Sequence, residues 1–345
     1  MISIKKKCSI KDVAREAGVS AQTVSNYFHR RSVVSPNTQL KIQKAIKKLN
    51  YTPNIFARGL RGTKTRTVGV AIPEIANPFY SDILDGLEKI ATRRGYTLIV
   101  SCNSYNKNKL QRDLDILTNH VDGIVVCTFT VDDEKISYYL AKGIPIVAID
   151  IKVENGLVPS VEIDNYQTVY NCIQYLIDYG HRNIYFFSEP LLLPMFHDRL
   201  NGYLDCLKKN NLPIESDKII IEEGLKVQKT EATYRKLSCL IDSMNFPAAL
   251  FATSDLMAIG AMKALVEKNI NIPEQVSLIG LDNIFLSEYS LPPLTTIDYP
   301  KKEMGYKGMA MLIDYIDGKP VERERILLNT QIIERKSVKN INILK

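Results

Sequence analysis

No stretch of this 345-residue chain approaches the ~18 consecutive apolar residues needed to span a bilayer. The start, MISIKKKCSIKDVAREA, is positively charged but no apolar core follows, so it does not read as a secretory signal. Six cysteines (Cys8, Cys102, Cys127, Cys172, Cys206, Cys239) are scattered without a CxxC pair or short histidine spacing. That pattern argues against disulfides and zinc and predicts buried free thiols in a reducing, cytoplasmic compartment. GxSxG, GxGxxG, a Walker loop and HExxH are all missing. His29, His120, His181 and His197 are spread out, and His181, beside Gly180, reads as part of a helix end. No enzymatic constellation, metal or cofactor is expected.

Acidic residues are also scarce where basic ones gather. Residues 1–64 hold fourteen Lys and Arg against only Asp12 and Glu16, a net of +12. The whole chain carries +7, so the remainder carries −5 and the basic excess lies entirely in the first fifth. A charge run can be no more than a solvated face, but a field of this size also suits a polyanion. The pattern within the segment decides between them.

That segment reads as three short helices. Ser9 is placed to cap the first, with Asp12 in the position of a capping-box acid. Ile10, Val13, Ala14 and Ala17 make an apolar stripe, and Gly18 closes the helix. Ser20 caps the second helix, whose inner face is Val24, Tyr27 and Phe28. Ser35 and Pro36 start a third, with Ile42, Ala45, Ile46 and Leu49 inward. Such a helix-turn-helix lays its second helix in the DNA major groove. Ala21, Gln22, Ser25 and Asn26 are then expected to face outward. Gln and Asn can pair with adenine N6 and N7, while Ser and Thr serve phosphates or bases. His29, at the helix end, is placed for a phosphate contact.

Residues 9–28, SIKDVAREAGVSAQTVSNYF, followed by NYTPNIFARGL, closely resemble the amino-terminal segment of LacI/GalR-family transcription regulators. The resemblance implies base reading by Ala21, Gln22 and Asn26, with Ser20, Thr23, Ser25, His29 and Asn54 at the DNA surface. Asn26 stands where the family often has arginine or histidine, which implies a different operator preference. By itself PNIFARGL would be a linker, since short isolated helices are marginal and Gly59 weakens this one further. The resemblance implies a hinge helix that orders on DNA, with Leu60 wedged into the minor groove and Arg58 supporting it.

Beyond residue 66, apolar strand-like runs alternate with amphipathic helices, the mark of parallel sheets covered on both faces. VGVAI, YTLIVSC, GIVVCT and IPIVAID form one set, separated by helices near 79–94, 107–119 and 132–142. NIYFFS, KIIIEE, AALFAT and VSLIGLD form another, with the division near Asp164. The resemblance extends to the C-terminus and implies a periplasmic-binding-protein-like fold. The expected organisation is a small all-α helix-turn-helix headpiece at 1–52 and a hinge helix with linker at 53–65. An α/β domain of two parallel-sheet subdomains follows at 66–340. The first subdomain is expected at about 66–163 and 297–323, the second at about 164–294 and 325–340.

Ligands of open α/β sheets bind beyond the carboxyl ends of the strands, so a cleft between two such sheets is the expected site. Phe79 and Tyr80 follow the first strand; Asp150 ends IPIVAID, Ser254 and Asp255 follow LFAT, and Asp282 ends VSLIGLD. Each also has a bland reading: Asp255 as a helix cap, Asp150 as a turn former, Phe79 as core. The resemblance implies an effector pocket lined by Phe79, Tyr80, Asp150, Arg199, Ser254 and Asp282. Ser254 replaces an asparagine common in sugar-binding members, and LLLPMF at 191–196 makes an unusually apolar rim. The implied function is a homodimeric, sequence-specific repressor of a near-palindromic operator, controlled by a sugar or sugar derivative. A purine or other metabolite is the alternative effector. A solute-binding protein or an enzyme is the alternative class; the basic headpiece and missing catalytic motifs oppose both. No leucine heptads appear near the C-terminus, so a dimer is expected.

Overall fold

Each headpiece helix begins and ends where its local chemistry allows. In the computed structural model, which describes residues 8–52, 64–127, 133–151, 157–224, 228–320 and 325–344, α1 spans Ile10–Ala17. The Asp12 carboxylate accepts from the Ser9 amide at 3.0 Å and its hydroxyl at 2.7 Å. Gly18 takes φ 68°, and the Val19 amide donates back to the Ala14 carbonyl at 3.0 Å. The next helix, α2 (Ala21–His29), starts with the Thr23 amide donating to Ser20 Oγ at 3.0 Å. A longer α3 (Pro36–Leu49) has proline in its first turn. Val13, Val24, Val34 and Ile42 are fully or nearly buried at their meeting point, with Tyr27, Phe28 and Tyr51 packed around them.

The chain divides into two compact units, 1–65 and 66–345. The larger contains two six-stranded sheets. In chain order its strands are β1 (Thr67–Ile72), β2 (Thr97–Cys102), β3 (Gly123–Val126), β4 (Ile146–Ile149), β5 (Ser160–Ile163), β6 (Ile184–Ser188), β7 (Ile219–Ile221), β8 (Ala248–Ala252), β9 (Val276–Asp282), β10 (Thr295–Asp298), β11 (Arg325–Leu328) and β12 (Gln331–Ile333). The first sheet runs β11-β5-β4-β3-β1-β2, the second β12-β10-β9-β8-β6-β7. Among the described residues every pairing is parallel except that of β12 with β10. The helices between strands are α4 (Pro78–Arg93), α5 (Lys107–Leu117), α6 (Asp133–Ala141), α7 (Asn165–Asp178), α8 (Pro194–Lys209), α9 (Lys229–Leu240), α10 (Asp255–Glu267), α11 (Phe285–Tyr289) and α12 (Lys301–Ile316). None of the described helices is long and apolar enough to cross a membrane.

The crossings between sheets differ from the sequence expectation. Thr295–Asp298 belongs to the second sheet, so residues 297 and 298 are not yet in the first subdomain. Arg325–Leu328 pairs with Ser160–Ile163 in the first sheet, and the chain reaches the second again only at Gln331. Both strands are short, and β11 exposes part of its length, so neither has the apolar run that marked the central strands. The α12 helix packs against α4, where Gly86 and Gly305 permit backbone contact: a Cβ on Gly305 would lie 2.4 Å from the Ile83 carbonyl. One buried apolar cluster joins α4 and α12 on the first sheet to α7 and α8 on the second. Three thiols, Cys127, Cys172 and Cys206, are buried, whereas Cys8 and Cys102 are half-buried and Cys239 is exposed, which corrects the expectation of buried thiols for these three.

Candidate functional site: a reading helix and an interlobe cavity

On α2, Ser20 and Gln22 are exposed and Ala21, Thr23 and Asn26 half-buried. Gln22 Nε2 donates to Asn26 Oδ1 at 3.1 Å, one helical turn away. This bond leaves one amide carbonyl and one NH₂ unused, a pre-ordered acceptor and donor of the kind that reads a base edge. Ser25 does not face outward. It is 5% exposed, tucked beside Val24 on the inner side of the helix, so a base contact from its hydroxyl is not available in this conformation. Exposed Lys11, Arg30, Lys41, Lys44 and Lys47 supply the headpiece's positive surface. Asn54, Arg58 and Leu60, and the side chain of His29, lie outside the described residues.

In the larger unit, loops at the carboxyl ends of both sheets enclose a cavity of about 790 Å³, including its mouth. All six residues expected from sequence line it: Phe79, Tyr80, Asp150, Arg199, Ser254 and Asp282. Asn77 caps α4 by accepting from the Phe79 amide at 3.0 Å, and so turns the first helical turn toward the cavity. Phe79 meets Tyr80 and Tyr299 edge-on, with ring centroids 5.1 and 5.2 Å apart. Asp150 (φ 57°) and Asp282 (φ 126°) both take left-handed backbone angles where their strands end. Such angles are tolerated at sites that surrounding contacts over-determine. Here the buried Lys301 donates to the carbonyls of Asp282, Asn283 and Tyr299.

Arg199, 4% exposed, donates from Nε to Asn165 Oδ1 at 2.8 Å and from a terminal nitrogen to the Thr253 carbonyl at 3.3 Å. Asp150 accepts from the Tyr299 hydroxyl. Burial pushes its carboxyl up to about 6, against the lowering effects of Arg199 and that bond. Burial and then the neighbouring Asp255 hold Asp282 well above the usual carboxylate range. Ser254, rather than Asp255, caps α10, accepting from the Met257 amide at 3.3 Å. Asp255 is instead a buried hub that accepts from the Ile284 amide at 2.9 Å and from Ser287 and Thr296, each at 2.5 Å.

Sequence reasoning missed Tyr105, Glu189 and Lys229, which also line the cavity. Glu189 follows the NIYFFS strand and carried the same signal as Asp150. Lys229 begins a helix away from any strand end, and Tyr105 sits in a left-handed turn (φ 59°), so only tertiary structure places them. Lys229 Nζ contacts Glu189 at 2.5 Å. Burial alone would raise Glu189 and lower Lys229. Instead Lys229 and Arg199 hold Glu189 below its ordinary range, and Glu189 raises Lys229.

A helix-turn-helix with an ordered polar face, carried on the same chain as an interlobe cavity, defines a DNA-binding protein that also holds a small ligand. Residues 9–54 match bacterial regulatory proteins of the lacI family, and 173–338 match a periplasmic binding protein-like domain. The chain is 36% identical to the HTH-type transcriptional repressor PurR of Vibrio atlanticus, covering 97% of this chain and 99% of that one. It is 34% identical to catabolite control protein A of Priestia megaterium, covering 96% and 99%. The solved lac repressor dimer bound to operator and the anti-inducer ONPF matches with a TM-score of 0.81 at 25% identity, covering 97% and 100%. The chain belongs to the lacI family and is a ligand-controlled, DNA-binding transcriptional repressor.

Proposed function

We propose that this repressor acts as a cytoplasmic homodimer controlled by a carbohydrate-derived ligand in the interlobe cavity, with no enzymatic step. Two copies of α2 would enter successive major grooves of a near-palindromic operator, as two-fold symmetry requires. Gln22 and Asn26, with Ala21 and Thr23, would read or contact the site. Ser20, His29, Asn54 and Arg58 would hold the backbone, and Leu60 from each hinge would wedge the minor groove. Exposed Phe285, Tyr289 and Leu291 (65%, 76% and 83% exposed) support a partner surface on the larger unit.

The observation that carries the ligand reading is the convergence of Phe79, Tyr80, Asp150, Arg199, Ser254 and Asp282 on one cavity. Aromatic faces beside fixed carboxyl and guanidinium groups suit a hydroxylated ring. Solved relatives of the fold hold cellobiose, ribose and D-xylulofuranose. A purine is the second reading, supported by the faces of Phe79 and Phe196. A thermal-shift screen of sugars, sugar acids, sugar phosphates and purines identifies the class, because bound ligand raises the melting temperature by mass action. With the hit in hand, Arg199→Ala is expected to retain operator binding in a gel shift and lose the ligand response. A normal response would remove Arg199 from the pocket's machinery.

A further inference from the structure

Two cations and three acids share the cavity wall, and their pairing restricts what can enter. Glu189 has both carboxylate oxygens occupied, one by Lys229 Nζ at 2.5 Å and the other by Thr253 Oγ1 at 2.6 Å. The Glu189 side chain is 4% exposed and that of Lys229 11%, so the pair is nearly dry yet borders the cavity. An ammonium has three N–H donors. The Lys229 ammonium spends one on Glu189 and makes no other hydrogen bond among the described residues, while the Lys229 carbonyl accepts from Thr233 Oγ1. Arg199, also on the cavity wall, acts on both Glu189 and Asp150, and the Asp150 carboxylate already accepts from Tyr299. The third acid, Asp282, lies buried near Asp255 and is held toward its neutral form. The two cations are therefore balanced by two acids of the protein itself, Glu189 and Asp150.

We propose that Glu189 and Lys229 form the charge filter of the effector pocket. By neutralising one another they fit the cavity to an uncharged, polyhydroxylated ring, with Lys229 donating to one of its oxygens. Sugar acids, sugar phosphates and amino sugars are turned away. The inference rests on the reading of the cleft as the effector site. Its physical basis is desolvation: an ion entering among these buried side chains loses hydration that only an unmatched opposite charge could replace. A neutral ring loses less, and its hydroxyls can meet the remaining donors of Lys229 and Arg199. If the pair served only to pin α9 to the end of β6, its removal would change stability without changing which charge class binds.

Isothermal titration of the full-length protein with charge-matched sets separates these outcomes. The probes are ribose with ribonate and ribose 5-phosphate; glucose with gluconate, glucosamine and glucose 6-phosphate; and cellobiose with cellobionate. Wild type is expected to bind a neutral member at least about tenfold more tightly than its charged counterparts. Glu189→Gln leaves Lys229 unmatched and should shift that ratio about tenfold toward the aldonate. Lys229→Met removes the ion-pair partner of Glu189 and should shift it toward the amino sugar. The double variant, with neither charge, should return to the neutral preference, and it tests the filter even where a single variant folds poorly. Preference of wild type for a charged member overturns the filter while leaving the carbohydrate site standing. Ratios unmoved in both single variants also overturn it. If no member of any set binds wild type or variants, the carbohydrate reading falls and the filter with it.

Discussion

Asp150 illustrates how one residue can serve a site at a cost to stability. Its backbone is left-handed, its side chain is 6% exposed, and burial lifts its carboxyl from 3.8 to about 6. The folded protein therefore keeps a proton that the unfolded chain releases near pH 4, so this contribution to stability is complete below pH 4 and lost as pH rises through about 6. The full span is worth at most about 3 kcal/mol. Asp255 shifts in the same direction, so the informative quantity is a difference between proteins. Asp150→Asn keeps an acceptor for Tyr299 but cannot titrate. Its melting temperature relative to wild type is expected to rise between pH 4 and 7 and then level off. A constant difference would show that Asp150 ionises normally in the folded state.

Among the elements, α4 and α12 carry the tightest test. Alanine normally stabilises a helix interior by about 1 kcal/mol over glycine. At Gly305 the added Cβ would meet the Ile83 carbonyl at 2.4 Å and the Leu87 amide at 2.7 Å, both backbone atoms that cannot rotate aside. Separating the helices costs about 1–3 kcal/mol, typical of overpacking, which outweighs the propensity gain. Gly305→Ala should therefore lower the chemical-denaturation midpoint; a stabilised protein would mean that the helices part freely. The same pair shows why sequence periodicity succeeds for central elements. Val68, Val70 and Ile72 are fully buried and alternate with helices whose stripes face them. It failed for Arg325–Leu328 and Gln331–Ile333, whose residues are all exposed or half-buried except Leu328, and whose strands are held by one neighbour each.

For the whole molecule, the basic excess and the proposed Leu60 wedge make separable predictions about operator binding. Each phosphate neutralised releases counterions, so log affinity should fall linearly with log salt, with a slope of about −0.9 per phosphate contact. An apolar wedge releases none. Leu60→Ala is expected to weaken operator binding by a similar factor at every salt concentration, leaving the slope unchanged in fluorescence anisotropy titrations. An unchanged affinity would remove the wedge. A changed slope would mean that the substitution disturbs phosphate contacts instead.

Local chemistry in the sequence determined the headpiece almost completely: Ser9, Gly18, Ser20, Ser35 and Pro36 act within one helical turn of themselves, and tertiary context did not override them. It also determined the two sheets, because strands buried on both faces must be continuously apolar. Resemblance added the six residues of the cavity, whose convergence the structure then displayed. Only tertiary structure decided that Ser25 turns inward, that Asp255 is a hub rather than a cap, and that Lys229 meets Glu189 across 40 residues of chain. Those outcomes depend on which elements come to lie side by side. Neither helical periodicity nor a capping rule extends far enough along the chain to specify that.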